Sequence, residues 1–421
     1  MRVRSIAGFT VITHPMPSPI ATVRVMVNAG SYHEVVPGTA HFLEHMFFKG
    51  TELRGYEELN RILASIGDSN AYTAQDQTCF HINTTGPHVL RAFSLLTEMM
   101  FRPSMSTVEM DKERTVILEE YQARQDDPGN FFCDNSIEFL LGSQLGHGGV
   151  GTEETIMGMS LEHLLAFRKA HYNRANIAFL LIGNVEHVTE NNLARVLAPY
   201  SAVPQGALNN IPTLPLNLGT TIKPTGLNFR HVSKQAWLAL WVPGFTDREN
   251  YNLCDAPNIL YDALGGGMHS LLFSRIREEL GLAYTTGVMP MTTWGNALNG
   301  CFALLQTKNV KECQEEIALV LQQLARNGVP GEILNASISH FEFCQAQEAQ
   351  TPAGYAMTYT SGYFQNPDLL TGYEERMRRL HAAREQIPDM VEECAKRLVT
   401  GLTVTVMNGP KSSFSSPHPG Q

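Results

Sequence analysis

Thr39-Ala-His-Phe-Leu-Glu-His-Met-Phe-Phe48 sets two histidines, His41 and His45, four residues apart, with Glu44 beside the second. If the stretch is helical, both imidazoles stack on one face and can grip a single Zn²⁺, while the carboxylate projects close to the same face. Glu44 then suits a general base better than a ligand. Histidine is scarce on apolar helix faces without a partner. The bland alternative, a His pair that merely packs or caps, is decided by whether a third ligand exists, because a catalytic zinc takes three protein ligands and leaves one position for water.

The best candidate for that ligand lies in Val108-Glu-Met-Asp-Lys-Glu-Arg-Thr-Val-Ile-Leu-Glu-Glu-Tyr121, a strongly helical run. Glu113, Val116, Ile117 and Glu120 share a face by 3.6-residue periodicity, and Glu119 points about 100° away. A face that mixes carboxylates with branched apolar residues reads as buried, and buried carboxylates need partners. Glu120 is the expected ligand and Glu113 the acid that orients a ligand ring from behind. A solvated face with chance acidic residues is the competing reading of this helix alone.

An H-x-x-E-H pentad followed by Glu113 and Glu120 resembles the inverzincin peptidases of the pitrilysin/insulinase family. So do Phe48-Lys-Gly-Thr51, Gly67, Asn70-Ala-Tyr-Thr73, His171-Tyr172 with Asn176, and Gly183-Asn-Val185, which are similar to the mitochondrial-processing-peptidase branch. Leu264-Gly-Gly-Gly-Met268, Leu272-Phe273 and Arg277-Glu-Glu-Leu-Gly-Leu-Ala-Tyr284 extend the likeness, which runs from about residue 5 to about residue 405. It implies a zinc-dependent endopeptidase with one Zn²⁺ per chain, held by His41, His45 and Glu120, with Glu44 as the base and Glu113 behind the ligands. It further implies that Asn70 and Ala71 lie on an edge strand to which extended peptide adds, that Phe48 lines a pocket for the residue after the scissile bond, and that Arg277 and Tyr284 hold substrate carbonyls. Large members fold four such domains into a closed chamber. A chain with two is expected to complete it by pairing, as a homodimer or as a heterodimer with a related subunit. A non-catalytic structural subunit and a peptide-binding module of the same fold are the alternatives.

Length and composition agree with a two-domain globular protein. The chain has 421 residues, 43% of them hydrophobic and 17% charged, more than one ordinary core accommodates. A formal net charge of −10 argues against a nucleic-acid binder. Seven cysteines, odd in number and without C-x-x-C, read as reduced thiols. No stretch reads as a signal peptide or membrane span, and a cytoplasmic location is expected.

The chain also reads as a duplication. Strand-like Ala21–Val27 precedes the pentad helix, and Ala236–Val242 precedes a helical stretch around Tyr251 to Leu264; Ile177–Ile182 and Leu402–Val406 close the two copies as strands. Residues 1–200 are therefore assigned to the zinc-binding half, 201–221 to a linker rich in Pro, Asn and Gly, 222–409 to a homologous half carrying Arg277 and Tyr284, and 410–421 to a disordered tail. Each half is expected to be α+β, a mostly antiparallel sheet with helices on one side, the two forming half of a clamshell. The second copy offers Asn252-Leu-Cys-Asp-Ala-Pro-Asn258 where a His pair would be needed, and reads as scaffold without a metal site. Gly265-Gly266-Gly267 is not followed by G-K-[ST] and excludes a phosphate loop.

Overall fold

A computed structural model describes residues 1–142, 148–210, 224–229, 234–293, 296–360, 362–364, 367 and 370–408. Most of the expected linker and all of the expected tail lie outside these residues.

The chain divides into two units that are not contiguous halves. The first comprises Met1–Ala123, His147–Ile211 and Gln347–Tyr373, and the second Arg124–Gly146, Pro212–Ala346 and Glu374–Gln421. The boundaries drawn from sequence follow the duplication, whereas packing assigns one segment of each half to the other unit.

The first unit is built on a six-stranded sheet in the order β1-β2-β6-β3-β5-β4: β1 (Arg2–Ile6), β2 (Phe9–Pro15), β3 (Ile20–Val27), β4 (Gly67–Thr73), β5 (Thr78–Thr85) and β6 (Ile177–Gly183). Only β2 and β6 run parallel; the other pairs are antiparallel. Side chains alternate across a strand, so Val23, Val25 and Val27 of β3 face one way, into the core with Phe42, Leu43 and Phe47 of helix α1 (Thr39–Phe47). The same core takes Leu59 and Leu63 of α2 (Tyr56–Ile66) and Phe93 and Leu96 of α3 (Val89–Phe101). Thr22 and Arg24 face the other way and are also buried. The helix Pro352–Thr360 covers them, and the Arg24 guanidinium donates to the carbonyl of Ala353 at 3.1 Å. A strand of β3's composition does alternate, but its polar residues are met by a late helix rather than by water.

The second unit repeats the plan with five strands in the order β7-β11-β8-β10-β9: β7 (Pro224–Asn228), β8 (Gln235–Pro243), β9 (Ala283–Thr293), β10 (Asn296–Gln306) and β11 (Thr403–Asn408). Strands β7 and β11 are parallel, like β2 and β6, and β8 takes the place of β3. The helix after β8 differs from the sequence expectation. It is broken into Asp247–Asn252 and Ala256–Gly265, because Cys254 and Asp255 take positive φ between them. The expected helix at Val108–Tyr121 is found as α4 (Thr107–Asp126). Helix α5 (Pro128–Leu141) packs Phe132 against Trp237 of β8, and Ser136 lies 3.0 Å from Thr405 of β11. The continuous apolar run Ala236–Val242 is explained by this: β8 is covered on both faces.

Candidate metal centre

Helix α1 starts where Gly38 takes a left-handed backbone, φ 88°. Glu34 ties down its first turn, its two carboxylate oxygens accepting the amides of Gly38 at 2.8 Å and Ala40 at 2.6 Å. These are N–H groups with no partner inside the helix. Burial pushes the Glu34 carboxyl up to about 8 against the pull of those two amides. Phe42, Leu43, Met46 and Phe47 anchor α1 in the core, which fixes the direction of His41 and His45 on the remaining stripe.

Nε2 of His41 lies 3.5 Å from one oxygen of Glu120, and Nε2 of His45 lies 3.5 Å from the other. The imidazole centroids are 4.6 Å apart. These separations are long for hydrogen bonds, but they suit donors around one ion, since zinc bonds of roughly 2.0–2.2 Å at tetrahedral angles set neighbouring donors roughly 3.4 Å apart. Two nitrogens and a carboxylate are also the donor types zinc takes, so the residues fit the ion that the sequence implies.

Glu113 stands behind this set. Its Oε1 lies 2.7 Å from Nδ1 of His45, and its other oxygen is bound by the ammonium of Lys49. The Nδ1–H of His45 is thereby directed to Glu113, which leaves Nε2 as the ring nitrogen that faces Glu120. Burial pushes the Glu113 carboxyl up, but the bonds from His45 and Lys49 outweigh it and hold it below the usual range. For His45, burial lowers the pKa, and the carboxylates of Glu113 and Glu120 overcome that to raise it to about 9. Glu120 is held well below the usual carboxylate range by the two imidazoles facing it. Nδ1 of His41 is buried without a hydrogen bond among the described residues.

Glu44 is buried, and Thr73 at the end of β4 donates its hydroxyl to Oε2 at 2.6 Å. Burial raises its pKa; the Thr73 bond and the two imidazoles oppose that, and Glu120 adds to it.

One expectation is corrected. The face of α4 is not buried along its length: Met110, Glu113 and Ile117 are buried, but Val116 is 49% exposed and the Glu120 side chain 45% exposed. At 100° per residue Val116 sits about 60° from Glu113 around the helix. Glu120 faces both imidazoles while remaining open to solvent.

Phe48 caps α1, half-buried, its ring 6.2 Å from that of Phe80. Asn70 and Ala71 lie on β4, the edge strand, and the amide of Ala71 donates to the Asn70 side chain at 2.8 Å. In the second unit, Arg277 on the π-helical turn Phe273–Glu279 places its guanidinium 4.8 Å from the ring centre of Tyr284, which is 75% exposed near the start of β9. Sequence reasoning assigned no role to Lys49 or Thr73. Lys49 follows His45 by four residues and so shares its face; Thr73 shares the face of Ala71 by strand alternation. Both signals were present, but neither names its partner.

Residues 10–140 match the profile of the insulinase (peptidase family M16) domain, and residues 158–340 that of the peptidase M16 inactive domain. The chain belongs to the insulinase family of peptidases. An uncharacterized zinc protease of Streptomyces coelicolor is 28% identical over 80% of this chain and 74% of its own length. One from Rickettsia bellii is 31% identical over 66% and 67% respectively. Among solved structures, a protease from Helicobacter pylori superposes with a TM-score of 0.84 at 20% identity, covering 97% of this chain and 99% of its own. The peptidase M16 inactive domain from Pseudomonas fluorescens gives 0.82 at 18%, covering 99% and 100%. The fold is therefore the M16 fold. No helix among the described residues is long and apolar enough to cross a membrane.

Proposed function

We propose that the protein is a zinc-dependent endopeptidase acting on peptides or extended, unfolded polypeptide. The observation that carries this reading is the placement of Nε2 of His41 and His45 at 3.5 Å from the two oxygens of Glu120. His41, His45 and Glu120 would hold one Zn²⁺, which when bound polarises the peptide carbonyl and acidifies water. Glu44 takes a proton from the attacking water and returns it to the leaving amine. Thr73 orients the Glu44 carboxylate, and Glu113 with Lys49 holds the His45 ring in the tautomer that leaves Nε2 free.

Asn70 and Ala71 on the edge strand receive the substrate backbone as an added strand, a mode that reads extended chain rather than side chains. Phe48 lines the pocket after the scissile bond, and Arg277 with Tyr284 holds substrate carbonyls. Because one chain carries both the zinc constellation and the Arg/Tyr pair, a homodimeric chamber is favoured over a heterodimer with a related subunit. A cytoplasmic location accords with the seven free cysteines. The second profile, the inactive domain, covers residues 158–340, which contain Arg277 and Tyr284 but none of His41, Glu44, His45, Glu113 and Glu120.

The test is cleavage of quenched, unstructured peptides before and after chelation. Activity that chelator removes and stoichiometric zinc restores supports the reading; cleavage indifferent to both contradicts it.

A further inference from the structure

The second unit was expected to keep the scaffold without a metal site, because Asn252–Asn258 offers no His pair. The structure draws attention elsewhere. Asp262, on the helix Ala256–Gly265, receives two imidazoles, one on each carboxylate oxygen: Nε2 of His269 at 2.8 Å and Nδ1 of His340 at 2.6 Å. The three donors lie within 4.8 Å of one another. Ser337 Oγ stands 3.2 Å from Nε2 of His269, and Cys344 Sγ 3.7 Å from Nε2 of His340. The Asp262 side chain is only 13% exposed, so its charge is largely withdrawn from water and requires partners.

The helices that carry this cluster have counterparts in the first unit. The helix Ala256–Gly265 follows β8 as α1 follows β3, and the helix Gly331–Glu348, which carries His340, follows its hairpin and helix as α4 follows β4, β5 and α3. Asp262 and His340 thus stand on the counterparts of the two helices that bear His41, His45 and Glu120. The glycine run Gly265-Gly266-Gly267 acquires a reason here. A Cβ on Gly266 would come within 2.2 Å of the Asp262 carboxylate, and the turn that follows brings His269 back to Asp262.

We infer that Asp262, His269 and His340 form a second divalent-metal site, for a borderline transition ion of the zinc type, distinct from the site on α1 and α4. Two imidazoles and a carboxylate are a donor set for such ions. In the metal-free form the imidazole N–H groups bond Asp262 directly. An entering ion replaces those protons, and each imidazole nitrogen draws back from Asp262 by roughly 0.6–0.8 Å to reach the spacing that zinc geometry sets. His340, with 42% of its side chain exposed, has room for that movement. The bound ion would tie the helix Ala256–Gly265, the turn at His269 and the helix Gly331–Glu348 together, without involving Glu44 or Glu120.

The test is zinc per full-length chain after equilibrium dialysis, for wild type, the double variant H41A/H45A, the double variant H269Q/H340Q and all four substitutions together. Two ions in wild type, one in each double variant and none in the fourfold variant is the expected result. One ion in both wild type and H269Q/H340Q would overturn the second site. A count lowered by H269Q/H340Q but not by H41A/H45A would instead overturn the reading of the first. Should H269Q/H340Q unfold, Asp262→Asn in the H41A/H45A background keeps the shape of the cluster. There, visible Co²⁺ absorption and metal-dependent thermal stabilisation should be present with Asp262 and absent with Asn; equal signals would exclude the site.

Discussion

Oε1 of Glu113 lies 2.7 Å from Nδ1 of His45, while Lys49 holds the other Glu113 oxygen. The carboxylate fixes the His45 ring and raises its basicity, and the lysine keeps the buried acid ionised. Hydrogen-bonded partners behind metal-bound histidines are worth roughly 10–100-fold in affinity. Glu113→Gln is therefore expected to weaken zinc binding by about that factor, and, because it also takes away the buried partner of Lys49, to lower the melting temperature of the metal-free protein, so affinity is compared on folded protein below that transition. Competition with a chromogenic chelator measures it, and an unchanged affinity would remove Glu113 from the role.

The same contacts tie zinc binding to pH. Without metal, Glu113 and Glu120 outweigh burial and raise His45 to about 9, so near neutrality the ring carries a proton that zinc must displace. The sign follows: affinity falls as pH falls, by up to about tenfold per unit below about pH 9, for this one proton. Calorimetry in two buffers of different ionisation enthalpy should report release of about one proton or more near pH 7; none would contradict the assignment.

Thr73→Val removes the hydroxyl that holds the Glu44 carboxyl down against burial. In the proposed mechanism Glu44 must be ionised to act as the base, so activity should be lost as pH falls through its pKa. In the variant that loss should begin at higher pH, seen as an alkaline displacement of the acid limb of kcat/KM. An unmoved limb would mean that another group sets it.

Legibility from sequence varied with the range of the interaction. The spacing of His41, Glu44 and His45, and the periodicity that brought Glu113 and Glu120 forward, depend on helices that form where the pattern says. Strand β3 and strand β8 were likewise found where expected. What pairs with what across the fold was not legible. Lys49 and Thr73 stood in view without partners, and the Asp262 cluster joins residues up to 78 positions apart. Exchange of α5 and the helix Pro352–Thr360 between units escaped for the same reason: the buried Arg24 and the twin tryptophans Trp237 and Trp241 show that a second sheet face is covered, but not by which segment.

Gly38 opens α1 with φ 88°, and a Cβ there would come within 2.4 Å of the Val150 carbonyl oxygen. Gly38→Ala must therefore strain or shift the start of the helix that carries His41 and His45, at a cost of about 1–3 kcal/mol. Thermal melts should show lower stability, and zinc affinity should fall with it. A neutral substitution would show that the turn yields freely.

The central claim is tested most directly by zinc content and peptide turnover measured together in wild type and Glu44→Gln, each in the H269Q/H340Q background so that only the first site is counted. The account predicts about one zinc per chain in both, with turnover reduced on the order of 10²-fold or more in the Gln variant, because general base catalysis commonly contributes that much. Equal turnover in the two, or no zinc in either, would contradict it.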